Sequence, residues 1–161
     1  MPSGIEIERK FLLDALPAAI RAIGATPIRQ GYVALDDDTE VRVRLTSQTA
    51  VLTIKSGRSG VRTEEELTLD ARQGEALWKL TEGRRIEKTR RRAPYDDVEI
   101  EVDEYAGTLA GLLVAEVEFD DEAASHRFEP PDWFGSEVTG DRRYANRALA
   151  SDGLPADHTV D

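Results

Sequence analysis

Stretch after stretch of this chain carries ionised side chains at every second position, beginning with Glu6-Ile7-Glu8-Arg9-Lys10. A strand turns successive side chains to opposite faces, so Glu6, Glu8 and Lys10 share one side and Ile5, Ile7 and Phe11 the other. The spacing returns at Glu40/Arg42/Arg44, Arg62/Glu64/Glu66, Lys88/Arg90/Arg92, Glu99/Glu101/Asp103 and Glu116/Glu118, and Lys55 closes a further strand. Such rows are either the wet side of a half-exposed antiparallel sheet or the lining of a charged cavity. Alternation alone does not say which face is inside. The opposite face also carries charge, at Arg9, Glu65, Glu87 and Arg91. Clustered glutamates beside clustered arginines are costly to desolvate unless a ligand or metal compensates them.

A length of 161 residues suits one domain with its own core. Residues 1–150 are expected to form it, with the polar, aperiodic stretch 151–161 as a tail. A formal charge of −11 argues against a general nucleic-acid or anionic-membrane surface, without excluding a local basic pocket. With no cysteine and two histidines, thiolate and His-rich metal sites drop out. Any metal is then a hard cation on oxygen ligands, magnesium or manganese. The N-terminus has no signal-peptide pattern, and no apolar run approaches the roughly 18 residues of a membrane span. The expectation is a soluble cytoplasmic protein with a small-molecule ligand, and no nucleic acid or membrane partner. No oligomeric state can be read from the pattern.

The punctuation predicts strands over 4–13, 28–35, 39–46, 50–56, 61–69, 84–93, 95–105 and 114–119. Asp14 is expected to cap a helix reaching Gly24, with Pro17 in its first turn. Asp70 with Gln73 reads as a capping box for a helix to about Leu80. A short helix is expected near Thr108–Leu112, and another from Asp141 to about Ala150. Residues 84–93 and 95–105 should pair around Pro94. This is a mainly β (α+β) chain of about eight antiparallel strands, a number that can close into a barrel.

Adjacent carboxylates repel one another unless a divalent cation sits between them. Glu6 and Glu8, with Glu116 or Glu118 from another strand, offer the oxygen ligands that magnesium or manganese needs. Arg42, Arg44, Lys55 and Arg90 would point cationic donors at phosphate oxygens. Tyr32, Trp78, Trp133 and Phe134 are read as packing groups, and His126 and His158 are assigned nothing.

The opening Glu6-Ile7-Glu8-Arg9-Lys10, followed by Phe11-Leu12, resembles the ExExK signature of the CYTH domain, or triphosphate tunnel metalloenzymes. It is joined in order by Val41-Arg42-Val43-Arg44, Leu52-Thr53-Ile54-Lys55, Arg62-Thr63-Glu64-Glu65-Glu66, Glu87-Lys88-Thr89-Arg90, Glu101-Val102-Asp103, Ala115-Glu116-Val117-Glu118 and a segment from Glu137 to Tyr144. The resemblance spans roughly residues 4–150. It implies a closed eight-stranded barrel whose charged faces line a tunnel.

Its members act on tripolyphosphate, thiamine triphosphate, RNA 5′-triphosphate, or ATP in a cyclase branch. The short chain is most similar to the bacterial tripolyphosphatases. The resemblance implies a hydrolase with two magnesium or manganese ions. Glu6, Glu8 and Glu118 would be metal ligands, with Glu116 as an alternate. Lys10, Arg42, Arg44, Lys55 and Arg90 would bind phosphate, with Arg62, Lys88 and Arg142 as weaker candidates. Glu64, Glu66, Glu101 and Asp103 would hold a second ion, orient the attacking water, or balance the cations. Thiamine- or nucleoside-triphosphatase, adenylate cyclase, and a non-catalytic polyphosphate-binding module stay open as alternatives.

Overall fold

The computed structural model describes residues 7–57 and 63–158; Glu6 and Arg62 lie outside them. Eight strands form one antiparallel sheet: β1 (Ile7–Leu12), β2 (Thr26–Leu35), β3 (Thr39–Leu45), β4 (Ala50–Ser56), β5 (Thr63–Leu69), β6 (Arg85–Tyr95), β7 (Val98–Tyr105) and β8 (Leu113–Phe119). Their order is β1-β8-β7-β6-β2-β3-β4-β5. Four short helices accompany them: α1 (Ala18–Arg21), α2 (Ala71–Trp78), α3 (Glu122–Arg127) and α4 (Asn146–Asp152). Among the described residues no helix is long and apolar enough to cross a membrane.

The expected strand count and antiparallel pairing hold, but the sheet is not closed. Its outer strands β1 and β5 do not pair among the described residues. The free edge of β1 is already taken by residues 135–139. Gly135 N–H donates to Leu12 O, Leu12 N–H to Ser136 O and Val138 N–H to Lys10 O, at 2.7–2.8 Å.

Three local readings are corrected. The first helix starts only after Pro17, which sits extended at ψ 150° as its N-cap; a residue before proline is pushed out of the helical region, so Asp14 caps nothing. The β6–β7 hairpin turns at Asp96-Asp97, not at Pro94, because Tyr95 pairs with Val98 and Pro94 with Glu99. The β2 pairing ends opposite Arg90, so the donor that Pro94 lacks faces no neighbouring strand. Helix α3, capped by Asp121 on Ala124 N–H, was not expected at all. The Asp70–Gln73 capping box forms as read.

One face of the sheet is apolar and covered. Ile100, Val102, Ala115, Val117 and Phe119 meet Leu16 and Ile20, with Phe128, Trp133 and Phe134 against them. Further along, Val43, Leu45 and Ala50 pack with Leu77 and Trp78 of α2. Burying these side chains is worth about 1.5–3 kcal/mol each, and it commits the other face to the ionised rows.

Candidate active site

Residues directly opposed in an antiparallel pair share a face, so the register decides which charged rows meet. Glu8 faces Glu118 and Lys10 faces Glu116 across β1 and β8. Glu116 faces Glu101, and Asp103 faces Arg90. Lys88 meets Ile28, and Ile86 meets Gln30. Gln30 then faces Arg44 and Tyr32 faces Arg42. Arg42 faces Thr53, Glu40 faces Lys55, and these lead to Glu66 and Glu64 of β5. Every expected site residue within a described strand therefore lies on one face.

The middle of that face is enclosed: Lys88 is 2% exposed and Asp103 4%. Toward its two sides the face is wetter, with Glu118 on β8 and Glu66 on β5 exposed. The C-terminal segment closes one end. Ile86, Tyr105 and Val114 of the same face pack with Tyr144 and Leu149. Tyr105 donates to Asn146 Oδ1 at 2.6 Å, Arg147 to Asp36 O at 2.6 Å, and Lys10 Nζ to Tyr144 O at 3.2 Å. The segment from Tyr144 to Arg147 thus reaches from the β1 side to the β2–β3 turn. The solvated-surface reading fails for the buried centre of the face, at Lys88, Asp103 and Glu40.

Not all the cations on the face are equally available. Asp103 accepts from Lys88 Nζ at 2.8 Å and from Arg90 Nε and Nη2 at 2.8 and 2.9 Å. Arg90 also reaches Glu101 at 3.2 Å, which Arg92 contacts at 3.1 Å. Burial raises the Asp103 carboxyl, but Lys88 and Arg90 outweigh it and hold it down at about 2. Burial pulls Lys88 down to about 8, only partly offset by Asp103. Glu101 and Asp103 are thus ion-paired with cations of the same face.

Arg42 and Arg44 are different. Arg42 Nε is buried and, among the described residues, has no hydrogen-bond partner. Arg44 is lowered to about 10, first by burial and then by Arg42 and Arg90. Two cations crowded together, one with an orphaned donor, suit an anion. Arg142, by contrast, is exposed in the 3-10 turn before α4, and among the described residues it joins no bond of the face.

For a metal, the donor set is hard. Among the described residues no three such ligands converge. Glu116, however, is hydrogen-bonded through its side chain to Glu8. Two carboxylates in contact need a proton or a cation between them, and Lys10 stands opposite Glu116. Burial pushes the Glu116 carboxyl up, yet the Glu8 bond and the nearby Lys10 and Lys88 leave it below the usual range. Glu8 and Glu116, with Glu118 opposite Glu8, are hard oxygen donors of the kind a divalent cation takes.

Sequence reasoning missed Gln30, fully buried on the charged face. Its donation to the Tyr32 hydroxyl at 3.0 Å and its acceptance from Arg44 Nε at 2.8 Å tie two strands together. The available signal was its parity with Tyr32, two residues on.

An eight-stranded antiparallel sheet with one charged face defines the class. Residues 4–144 match the CYTH domain, and the chain belongs to that family. It is 46% identical over 147 residues to an inorganic triphosphatase of Nitrosomonas europaea, covering 90% of this chain and 96% of the relative. An inorganic triphosphatase of Acetivibrio thermocellus is 40% identical over 148 residues, covering 91% and 93%. A solved inorganic triphosphatase superposes with a TM-score of 0.74 at 43% identity, over 94% of this chain and 97% of that one.

Proposed function

We propose that this protein is an inorganic triphosphatase, cleaving tripolyphosphate to pyrophosphate and phosphate with a divalent cation, magnesium or manganese. The observation that carries it is the buried, unpartnered Arg42 Nε, set on the same face as the Glu8–Glu116 pair. A buried donor without an acceptor costs about 1–3 kcal/mol, and a phosphate oxygen relieves it. The kinship with inorganic triphosphatases supports the same substrate.

In this reading Arg42, Arg44 and Lys55 on β3 and β4 grip the non-bridging oxygens of the chain, with bidentate contacts from the arginines. Lys10, on β1, exchanges the Tyr144 carbonyl for a phosphate oxygen. Glu8, Glu116 and Glu118, with Glu6, would hold the cation, which would supply charge neutralisation and a more acidic water. Attack on a terminal phosphorus places growing negative charge on oxygens that the basic residues already face. Glu64 and Glu66, across from Lys55 and Thr53, are available to orient the water.

The test is release of phosphate and pyrophosphate from tripolyphosphate with magnesium or manganese. Parent protein without turnover, or turnover unaffected by Glu8→Ala, would overturn the reading.

A further inference from the structure

Gln30 is 0% exposed and sits between Ile86 on β6 and Arg44 on β3. Arginine has only donors, so the amide oxygen must face Arg44 Nε, as observed at 2.8 Å. The amide nitrogen is then turned to the Tyr32 hydroxyl at 3.0 Å, which has to accept. The stretch cannot shift easily. A Cβ on the intervening Gly31 would lie 2.5 Å from Thr81 Oγ1, so β2 is seated against Thr81 with Gln30 and Tyr32 turned to the charged face.

The choice of amide over carboxylate has an electrostatic consequence. Arg90, two strands away, is held by Asp103 and Glu101 and its charge is compensated. Among the described residues no carboxylate forms an ion pair with Arg44: its guanidinium is hydrogen-bonded to a neutral amide, and the longer-range pull of Asp103 is outweighed by Arg42, Arg90 and burial. A glutamate at position 30 would be nearly the same size. It would grip Arg44 more strongly, cancel its charge, and draw the Tyr32 proton inward.

Resting on the triphosphate reading, we propose that Gln30 is the positioning residue that fixes Arg44 while leaving its positive charge uncompensated for the substrate. It is a determinant of triphosphate affinity, not a group that touches the reacting atoms.

Calorimetric binding of tripolyphosphate to Gln30→Glu and Gln30→Met, each with the thermal midpoint, separates this from a structural role. The positioning role expects Gln30→Glu to fold with a midpoint at or above the parent's, yet to bind at least about tenfold more weakly. Gln30→Met, which frees Arg44 without neutralising it, should lose less, about threefold. In an Arg44→Gln background neither change should weaken binding further. Parental affinity in Gln30→Glu, or an additional loss in the Arg44→Gln background, would overturn the proposal. Should Gln30→Glu not fold, the Gln30→Met cycle alone decides.

A readout free of substrate keeps the two ideas apart. The Arg44 Nε–H proton should exchange slowly in the parent and quickly in Gln30→Met. Equal exchange would sink the tether even if tripolyphosphate is cleaved, and failure of the parent to bind tripolyphosphate would sink the substrate reading with the tether intact.

Discussion

Lys88 Nζ lies 2.8 Å from Asp103 Oδ2, and neither side chain is more than 6% exposed. Together with Arg90 this makes a buried ion triad at the centre of the charged face. Desolvating such charges offsets much of their attraction, but removing one partner leaves the others uncompensated. Asp103→Asn should therefore lower unfolding stability by about 3–5 kcal/mol at pH 7. Urea titration measures it, and a change within experimental scatter would refute the triad.

The same carboxylate sets an acid limb. Asp103 titrates at about 2 in the folded protein, against roughly 3.9 in an unfolded chain. The folded state binds fewer protons between those values, so its stability is complete above about pH 4 and declines as pH falls toward 2. The contribution at stake is about 2–3 kcal/mol. Unfolding free energies at pH 5 and pH 2.5 should differ by less in Asp103→Asn than in the parent.

Strand existence was legible because the period of two is written into almost every element, from Glu6-Ile7-Glu8 to Glu116-Val117-Glu118. Facing was legible only through resemblance, since alternation is symmetric about the sheet. What escaped was cross-strand chemistry. The register sets Asp103 against Arg90, a pairing no local pattern contains. Gln30 escaped because the row it shares with Ile28 and Tyr32 carries no charge, although the register sets that row on the charged face. Helix α3 covers only Glu122–Arg127, too short to show a helical period. The open edge came from a long-range choice, in which residues 135–139 occupy the edge of β1.

Arg42 sets function against stability. Its buried Nε has no acceptor, so Arg42→Met should remove a cost and raise stability by on the order of 1 kcal/mol. The same change should raise the KM for tripolyphosphate about tenfold or more, since a hydrogen bond to a charged group is lost. Thermal midpoint and KM are both needed. A drop in stability with unchanged KM would contradict the anion-site assignment.

Glu8 and Glu116 should act as a unit. If the pair holds the cation, Glu8→Ala and Glu116→Ala each lower kcat by roughly 100-fold or more. The double variant should fall little further, because removing one ligand already disables the site. Additive losses would mean that the two carboxylates serve separate tasks.

The strand that carries Glu8 and Lys10 is held from behind by Arg9. Its guanidinium bonds both carboxylate oxygens of Glu137 at 2.8 and 3.0 Å and the carbonyls of Ser125 and Phe128 at 3.0 and 3.2 Å. It also lies over the rings of Phe11 and Phe128 at 5.2 and 5.7 Å. Glu137 accepts from Thr139 Oγ1, which accepts from Lys10 N–H, so the clamp ends on the backbone of a phosphate-binding candidate. Surface ion pairs alone are worth little, but here several bonds and two ring contacts converge on one side chain. Arg9→Ala should cost about 2–3 kcal/mol of stability, whereas Glu137→Gln, which keeps the shape and one acceptor, should cost less than 1 kcal/mol. Because β1 is the carrier of Glu8, Arg9→Ala should also raise the magnesium or manganese concentration needed for half-maximal turnover, while a stability-matched substitution on the α2 side should not. Equal metal requirement in Arg9→Ala and parent would restrict the clamp to a purely structural part.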